Sequence, residues 1–371
     1  MITIKEVRTK RDRKQFVKLP WPIYKDDPAW VPPLISERMD FLNPKKNPYY
    51  RHSRVQLITA LCDGEPAGRL SVHENIPHVT RHNEKAGFFG FFECIDDRAV
   101  ANKLFDYASA WLRDKGYSTM RGPFSFSING EYALLVDGFE HPPMVMMAHN
   151  PPYYGSLIEQ YGFKGSQDMY AYRMDVSIGL PDTVLKKADE VEKKYENFHV
   201  RKMNLKYIER EAKIVHKIYT EAWDENWGAV PLNEKEIMAL AKELKMVIDE
   251  DITFVAELDG EPIGFSLFLP DINQAIKRAN GRLLPVGLIK LLLKKRSIDA
   301  FRAFAMGVLK EHRHRGFDNV FYKRTFEEGR KKGYRWTEMS LINESNKPMR
   351  TVLERIGAQI YKTYRMYDLK I

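Results

Sequence analysis

The sequence predicts an α/β fold with mixed (α+β) sheets, arranged as two tandem domains. Three observations predict it: a length of 371 residues, alternating strand and helix patterns, and short motifs that recur in the same order. A domain commonly has about 100–200 residues, so the length suits two or three domains. We expect the first domain over residues 1–180 and the second over residues 181–371.

In the first half, the aromatic and proline-rich stretch Phe16–Tyr50 is expected to cover a later sheet with helix and loop. Strand and helix patterns then alternate, with a hairpin turn at Asp63-Gly64. The predicted elements are strands Val55–Leu61, Ala67–Val72 and Gly87–Ile95, helix Ala99–Lys115, strand Tyr117–Arg121, helix Tyr154–Tyr161 and strand Met169–Val176. The long apolar segment Gly122–Tyr154 interrupts them, and long ordered loops tend to be functional.

The second half is predicted to repeat this order of elements. It contains a short strand (Phe304–Leu309), a basic turn (Lys310–Gly316), a helix (Asn319–Lys332) and a strand (Trp336–Ile342). An insertion at Asp271–Ala300 precedes them.

Four motifs of the first half return in the second half in the same order. The pairs are DGEPAG at 63–68 and DGEPIG at 259–264, RDKGY at 113–117 and RKKGY at 330–334, YGF at 161–163 and IGA at 356–358, and YRM at 172–174 and 364–366. Asp-Gly turns and glycine helix ends are common individually. Four matches in one order indicate that a whole domain has been duplicated.

The composition indicates a globular protein of the reducing cytoplasm. Two cysteines cannot build a disulfide scaffold, and the N-terminus lacks the apolar segment of a signal peptide. No run approaches the roughly 20 apolar residues that span a bilayer. The net charge of +9 favours acidic partners: a phosphorylated cofactor, an acidic carrier protein, a nucleic acid or an anionic membrane surface. Charge alone does not choose among them.

The basic turn has the features of a phosphate site. Five basic side chains lie between Lys310 and Arg315, and Gly316 follows them. Main-chain N–H groups and the positive end of a helix dipole converge at such a turn.

This segment resembles the acetyl-CoA motif of the GNAT (GCN5-related) N-acyltransferases, written Q/R-x-x-G-x-G/A. Arg313 matches the first position and Gly316 the glycine, whereas Asp318 stands where the family has a small residue. An aspartate there can instead cap the helix. The chain also resembles uncharacterised bacterial tandem GNAT-like proteins with an RGP…LLVDGF…NPPYY loop, here Arg121–Tyr154.

The resemblance implies that acetyl-CoA or a longer acyl-CoA binds the second copy as co-substrate, without a metal. The pantetheine arm would lie along the strand, the pyrophosphate at the turn, and an asparagine after the next strand would contact the cofactor. The residues implied are Gly307, Val308, Leu309, Arg313, His314, Arg315, Gly316, Phe317, Asp318, Asn319 and Asn343. In the first copy Asp96 and Asp97 stand at the corresponding place and would repel pyrophosphate, so that copy is expected to lack cofactor.

Two residues are candidates for catalysis. Glu338 is the candidate base for the attacking amine, and the alternative is a solvated strand carboxylate. Asn346 lies where the family often places a cofactor-contacting asparagine, and it also suits an N-cap before Lys347-Pro348. The family's general-acid tyrosine falls on Leu353, and on Ile158 in the first copy.

The loop Arg121–Tyr154 is the predicted place of the acceptor. Buried polar groups need partners, and a ligand can be one of them. The candidates are Asn129, Glu131, Asn150, Tyr153 and Tyr154, and the alternative is a loop whose polar groups satisfy one another. The apolar run Leu283–Leu293, followed by Lys294-Lys295-Arg296, could cover an acyl chain, touch a membrane surface or form an ordinary lid helix.

Together these patterns predict a cytoplasmic N-acyltransferase in which an amine attacks an acyl-CoA thioester directly. The expected acceptor is a small-molecule amine or an amino-acid-like compound, and an acidic acyl carrier protein is a further candidate partner. One alternative takes the acyl group from a carrier protein or an aminoacyl-tRNA. The other is a degenerate pair that binds a ligand without catalysis, with nucleic acid ranked last because the basic charge is spread along the chain. The oligomeric state is open.

Overall fold

A computed structural model describes residues 1–128, 130–222, 227–230, 232–282 and 297–371. The candidate Asn129 and the apolar run Leu283–Leu293 therefore lie outside the described residues. Contacts divide the chain into two compact units. The first is Met1–Tyr170, Tyr361–Ile371 and the described part of Asn273–Arg296, and the second is Ala171–Ile272 and Ser297–Ile360. These units are defined by spatial contacts and not by the order of the repeats along the chain. The expected domain boundary near residue 180 therefore stays a prediction.

Strands and helices are interspersed along the chain, and both parallel and antiparallel strand pairs occur, which confirms the mixed α/β prediction. The strands are β1 (Ile2–Glu6), β2 (Val55–Cys62), β3 (Glu65–His73), β4 (Ala86–Cys94), β5 (Thr119–Gly122), β6 (Leu134–Asp137), β7 (Lys164–Asp175), β8 (Phe198–Lys202), β9 (Phe254–Leu258), β10 (Glu261–Pro270), β11 (Ala300–Val308), β12 (Trp336–Asn343) and β13 (Gln359–Lys370). The helices are α1 (Lys10–Lys18), α2 (Pro20–Ile23), α3 (Ile35–Phe41), α4 (Ile76–His82), α5 (Arg98–Arg113), α6 (Tyr153–Tyr161), α7 (Asp182–Lys194), α8 (Ile208–Ala222), α9 (Glu234–Leu244), α10 (Asn273–Ile276), α11 (Phe317–Lys331) and α12 (Lys347–Arg355).

Both units contain the same strand pattern. In the first, β1, β2, β3 and β4 pair antiparallel in that order, β4 pairs parallel with β5, and β5 pairs antiparallel with β13. In the second, β8, β9, β10 and β11 pair antiparallel in that order, and β11 pairs parallel with β12. This agreement is what a duplicated domain would give.

The hairpin turns at Asp63-Gly64 and Asp259-Gly260 are as the sequence predicts. Both residues of each pair have positive φ, at 49° and 90° in the first turn and 52° and 84° in the second. A two-residue hairpin of type I′ requires positive φ at both central positions, which aspartate tolerates and glycine favours.

In each unit, amphipathic helices are buried against an apolar face of the sheet. In the first unit α5 contributes Leu104 and Phe105 to a core shared with β2, β3 and β4. In the second unit α11 contributes Phe317 and Phe321, which pack against β9, β10 and α7. The stretch Phe16–Tyr50 packs over the first sheet as expected, because its buried Phe16 lies in a cluster with residues of β2 and β4. Among the described residues no helix is both long and apolar enough to cross a bilayer.

A loop fills the space where β4 leaves β5. The parallel ladder ends at Phe88↔Arg121, and the N–H of Phe124 then donates to the carbonyl of Phe89 at 2.7 Å. A Cβ added to Gly90 would lie 1.6 Å from the carbonyl oxygen of Phe124. The loop backbone therefore occupies the place beside β4, and only glycine allows this approach.

We expect Gly90→Ala to lower the free energy of unfolding by about 1–3 kcal/mol or more, because the new methyl group collides with backbone that cannot simply rotate away. Urea denaturation measures the loss. Gly155→Ala is the matched control, because its Cβ would meet nothing nearer than 3.7 Å and alanine is the better helix former. Equal stabilities of the two variants would contradict the close packing of the loop backbone against Gly90.

Candidate functional site

The candidate site begins where β11 and β12 separate. In the described part of the second unit, the parallel ladder between them runs from Ala300↔Trp336 to Ala303↔Met339. The strand β11 continues to Val308 and stays paired with β10, with Gly307 opposite Phe265. Beyond Ala303 the edge of β11 that faced β12 is therefore released from the ladder. The residues implied to bind pantetheine, Gly307 and Val308, lie on this half-buried segment.

The turn after β11 has the backbone that the sequence predicts. Leu309 donates its N–H to the carbonyl of Ile263 at 2.9 Å, which holds the start of the turn. Gly316 precedes the first residue of α11 with φ of 89°, and a Cβ there would lie 3.2 Å from side-chain atoms of Lys187 and Val191. Glycine is thus favoured by both backbone conformation and close packing.

Three of the five basic side chains of this turn, Arg313, His314 and Arg315, differ in what they contact. Arg313 donates from Nη2 to the carbonyl of Ala222 at 2.6 Å, so its guanidinium is held at the end of α8. His314 and Arg315 are exposed. An anion at this turn would therefore meet His314 and Arg315, while Arg313 positions the backbone.

Asp318 occupies the helix start that the resemblance assigns to pyrophosphate. Asp318 lies in the first turn of α11, and burial raises the pKa of its carboxyl while the nearby N–H groups of Asp318 and Asn319 lower it. The amide of Asn319 donates back to the carbonyl of Gly316 at 3.1 Å. Phe317 is buried and packs on Phe198, with ring centroids 4.7 Å apart. Gly316 is the N-cap residue of α11, so Asp318 does not hold the N-cap position that the alternative expected.

Glu338 is buried, which excludes the alternative of a solvated carboxylate. The hydroxyl of Ser340 donates to its Oε1 at 2.5 Å, and Nε of Arg302 lies 3.8 Å from the same oxygen. Nε of Arg302 also donates to the Ser340 hydroxyl at 2.9 Å. These three side chains link β11 and β12 just where their ladder ends.

Asn343 and Asn346 shape the turn before α12. The side chain of Asn343 accepts from the N–H and the hydroxyl of Ser345, at 2.9 and 2.7 Å. Asn346 caps α12 by accepting from the N–H of Met349 at 3.2 Å, and Pro348 lies in the first turn. Both asparagine oxygens are thus used in local structure.

The loop residues expected to bind the acceptor contact other parts of the first unit. Glu131 forms an ion pair with Arg38. Asn150 accepts from the N–H of Leu135 at 2.8 Å and donates to the carbonyls of Leu135 and Pro151. Tyr153 donates to the carbonyl of Cys94 at 2.7 Å. Asn150 is thus satisfied within the loop, whereas the partners of Glu131 and Tyr153 lie outside it, so an acceptor role for these residues stays a prediction.

Sequence reasoning missed a buried polar cluster centred on Glu93. Its Oε2 accepts from the hydroxyls of Tyr24 and Tyr154, each at 2.8 Å, and Nη2 of Arg69 lies 3.3 Å from its Oε1. Burial raises the pKa of Glu93 and lowers that of Arg69. A lone carboxylate inside the apolar run Gly87–Ile95 was the signal that could have found it. Among the described residues no group of three or more His, Cys, Asp or Glu side chains could hold a metal ion.

Two relatives match nearly the whole chain, although no protein-family model does. The bacterial ceramide synthase of Caulobacter vibrioides (strain NA1000 / CB15N) is 38% identical over 375 residues, covering 99% of this chain and 97% of that protein. Protein YghO of Escherichia coli (strain K12) is 37% identical over 369 residues, covering 98% of this chain and 94% of its own.

Solved structures share the fold at low sequence identity. A tandem GNAT protein from the clavulanic acid biosynthesis pathway matches with a TM-score of 0.60 and 11% identity, covering 100% of this chain and 98% of its own. A GCN5-related N-acetyltransferase from Sphaerobacter thermophilus matches with a TM-score of 0.53 and 13% identity, covering 100% and 95%. The chain therefore has the tandem GNAT fold and belongs to the same family as the Caulobacter ceramide synthase and YghO.

Proposed function

We propose that this protein transfers a long-chain acyl group from acyl-CoA to the amino group of a long-chain amino alcohol. The amine nitrogen attacks the thioester carbonyl, the C–S bond breaks, an amide forms, and the CoA thiolate leaves and takes up the proton that the nitrogen loses. Ceramide is the amide of a fatty acid and a long-chain amino alcohol, so the 38% identical relative supports this choice of acyl group and acceptor.

The observation that carries the proposal is the separation of β11 from β12 beyond Ala303 and Met339. A strand edge released from its ladder presents main-chain N–H and C=O groups at strand spacing. The two amides of a pantetheine arm can pair with such an edge as another strand would. In this proposal Gly307, Val308 and Leu309 hold the arm, and the thioester lies between the two strands.

The turn and its neighbours have supporting roles in the proposal. His314 and Arg315 face the phosphates of the cofactor, and Arg313 positions the turn through Ala222. Glu338 and Asn346 act as positioning residues, since their oxygens are engaged with Ser340 and Met349. A direct catalytic role for either stays a prediction.

One observation favours a second candidate function, in which the thioester arrives on an acyl carrier protein. The Asp318 carboxylate belongs to the first turn of α11, where a pyrophosphate would bind. A like-charge contact at about 4 Å costs roughly 4 kcal/mol at an effective dielectric of 20. A carrier protein presents the same pantetheine arm without a pyrophosphate, and its acidic surface suits the exposed His314 and Arg315.

The test is a transfer assay with palmitoyl-CoA and sphinganine, reading free thiol release and the amide product by mass spectrometry. Transfer to sphinganine, and none to its analogue without the amino group, is expected. Amide formed from palmitoyl-carrier protein but not from palmitoyl-CoA would favour the second candidate, and no amide from either donor contradicts both.

Binding is tested separately from turnover. CoA at 100 times its Kd should add about 2.7 kcal/mol to the free energy of unfolding. We expect Arg315→Glu to reduce this gain and the control Arg330→Glu, at the other end of α11, to keep it. An equal gain in both variants would contradict the placement of the cofactor phosphates at the turn.

A further inference from the structure

A cavity of about 340 Å³ opens in the first unit between α6, β6 and β13. Its apolar lining residues include Leu135, Val136 and Phe139. Its polar lining residues include Glu159 and Tyr367. Ligand cavities commonly measure about 300–1,000 Å³ and combine apolar walls with a few converging polar groups, so this cavity suits a small amphiphile.

The charges around the cavity favour a cation. Arg365 also lines it, but its Nε and Nη2 bind the two oxygens of Asp168 at 2.7 and 2.8 Å, so that charge is compensated. Glu159 accepts at Oε1 from the neutral hydroxyl of Tyr367 at 3.0 Å. Glu159 is exposed, and no described residue donates to its Oε2 or pairs with it as a cation, so this carboxylate is open to an added cation.

Two further features strengthen this preference. Burial, together with the hydrogen bond to Glu159, raises the pKa of Tyr367, so its phenol stays protonated at neutral pH and remains a donor to the carboxylate. Glu159 also lies in the last turn of α6, which ends at Tyr161. The C-terminal end of a helix carries partial negative charge, which favours a cation there.

We propose that this cavity binds the ammonium group of a primary amine with an alkyl chain, the ammonium on Glu159 and the chain against Leu135, Val136 and Phe139. The long-chain amino alcohol considered above has this chemistry. The inference does not rest on the proposed function, because amine binding is measurable whether or not acyl transfer occurs.

The test is calorimetric titration of the full chain with octylamine and with 1-octanol, which share an alkyl chain and differ in charge. We expect octylamine to bind more tightly than octanol. In Glu159→Gln the octylamine Kd should rise about tenfold, while octanol binding is unchanged. Glu65→Gln removes the same charge from the exposed β2–β3 hairpin turn and should leave both affinities as they are.

A second variant tests the cavity rather than the charge. Gly155 lines it, and a Cβ there would lie 3.7 Å from the Tyr367 hydroxyl, so a larger side chain can enter the cavity without clashing with the backbone. Gly155→Leu should therefore weaken both ligands. Absence of octylamine binding to the natural chain, equal octylamine affinity in Glu159→Gln, or an equal loss in Glu65→Gln would overturn the proposal.

Discussion

Replacing Glu338 by alanine is expected to lower the free energy of unfolding by about 3–5 kcal/mol, the cost of breaking a buried ion pair from one side. Arg302 is only 6% exposed and lies beside this carboxylate. The substitution removes the carboxylate that lies 3.8 Å from this buried guanidinium and the acceptor of the Ser340 hydroxyl. Urea denaturation monitored by circular dichroism measures the loss.

Two control variants distinguish the loss of a carboxylate as such from the loss of this buried carboxylate. Glu327→Ala removes an exposed carboxylate from α11 in the same unit and should change stability by less than about 0.5 kcal/mol. The double variant Glu338→Leu with Arg302→Met should recover most of the loss, because an apolar pair can replace a buried ion pair. If Glu338→Ala kept full stability while acyl transfer vanished, Glu338 would be the catalytic base and its positioning role would be wrong.

Replacing Glu93 by alanine is expected to cost a similar amount, about 3–5 kcal/mol. The substitution removes the carboxylate that pairs with Arg69, whose side chain is 9% exposed. It also removes the acceptor of the Tyr24 and Tyr154 hydroxyls. The carbonyl of Phe16 still accepts from Arg69, at 2.6 Å, and so limits the loss. Urea denaturation measures it, with Glu65→Ala as the exposed control. A loss below 1 kcal/mol would contradict the importance of the buried cluster.

Glu93 should also make the free energy of unfolding depend on pH, with a contribution that falls as pH rises. Burial raises the pKa of its carboxyl above the usual 4.5, so as pH falls the folded chain takes up this proton before the unfolded chain does. The contribution of the Glu93 proton to the free energy of unfolding is therefore fully present below pH 4.5, and it is lost as pH rises through the raised pKa. The difference in unfolding free energy between the natural chain and Glu93→Gln should shrink from pH 4 to pH 7. A difference that grows over this range would show that the pKa is lowered instead.

The sequence was most informative for short segments whose conformation depends mainly on their own residues. The turn Asp259-Gly260 and the cap Asn346 were predictable, because backbone conformation and capping depend on a few neighbouring residues. The strand β11 and helix α11 were found within a few residues of their observed ends, because burial on one side leaves a periodic pattern.

The remaining features depend on residues that are far apart in sequence. Nothing near Glu93 in the sequence reveals that Tyr24, Arg69 and Tyr154 surround it. Asp318 offered two interpretations, and only the fold shows that Gly316 occupies the N-cap position instead. Polar contacts formed by the tertiary fold carry no local signal, so the functional interpretation of the loop could not be weighed from sequence.

The allocation of Tyr361–Ile371 to the first unit has a consequence for biosynthesis. The strand β5 pairs with β13, and Arg121 binds both carboxylate oxygens of Asp368 at 2.9 and 2.8 Å. The N-terminal half of the chain thus lacks its neighbouring strand while it emerges from the ribosome. Its pairing with β13 must therefore await the synthesis of residues 361–371, long after β5 itself has been made.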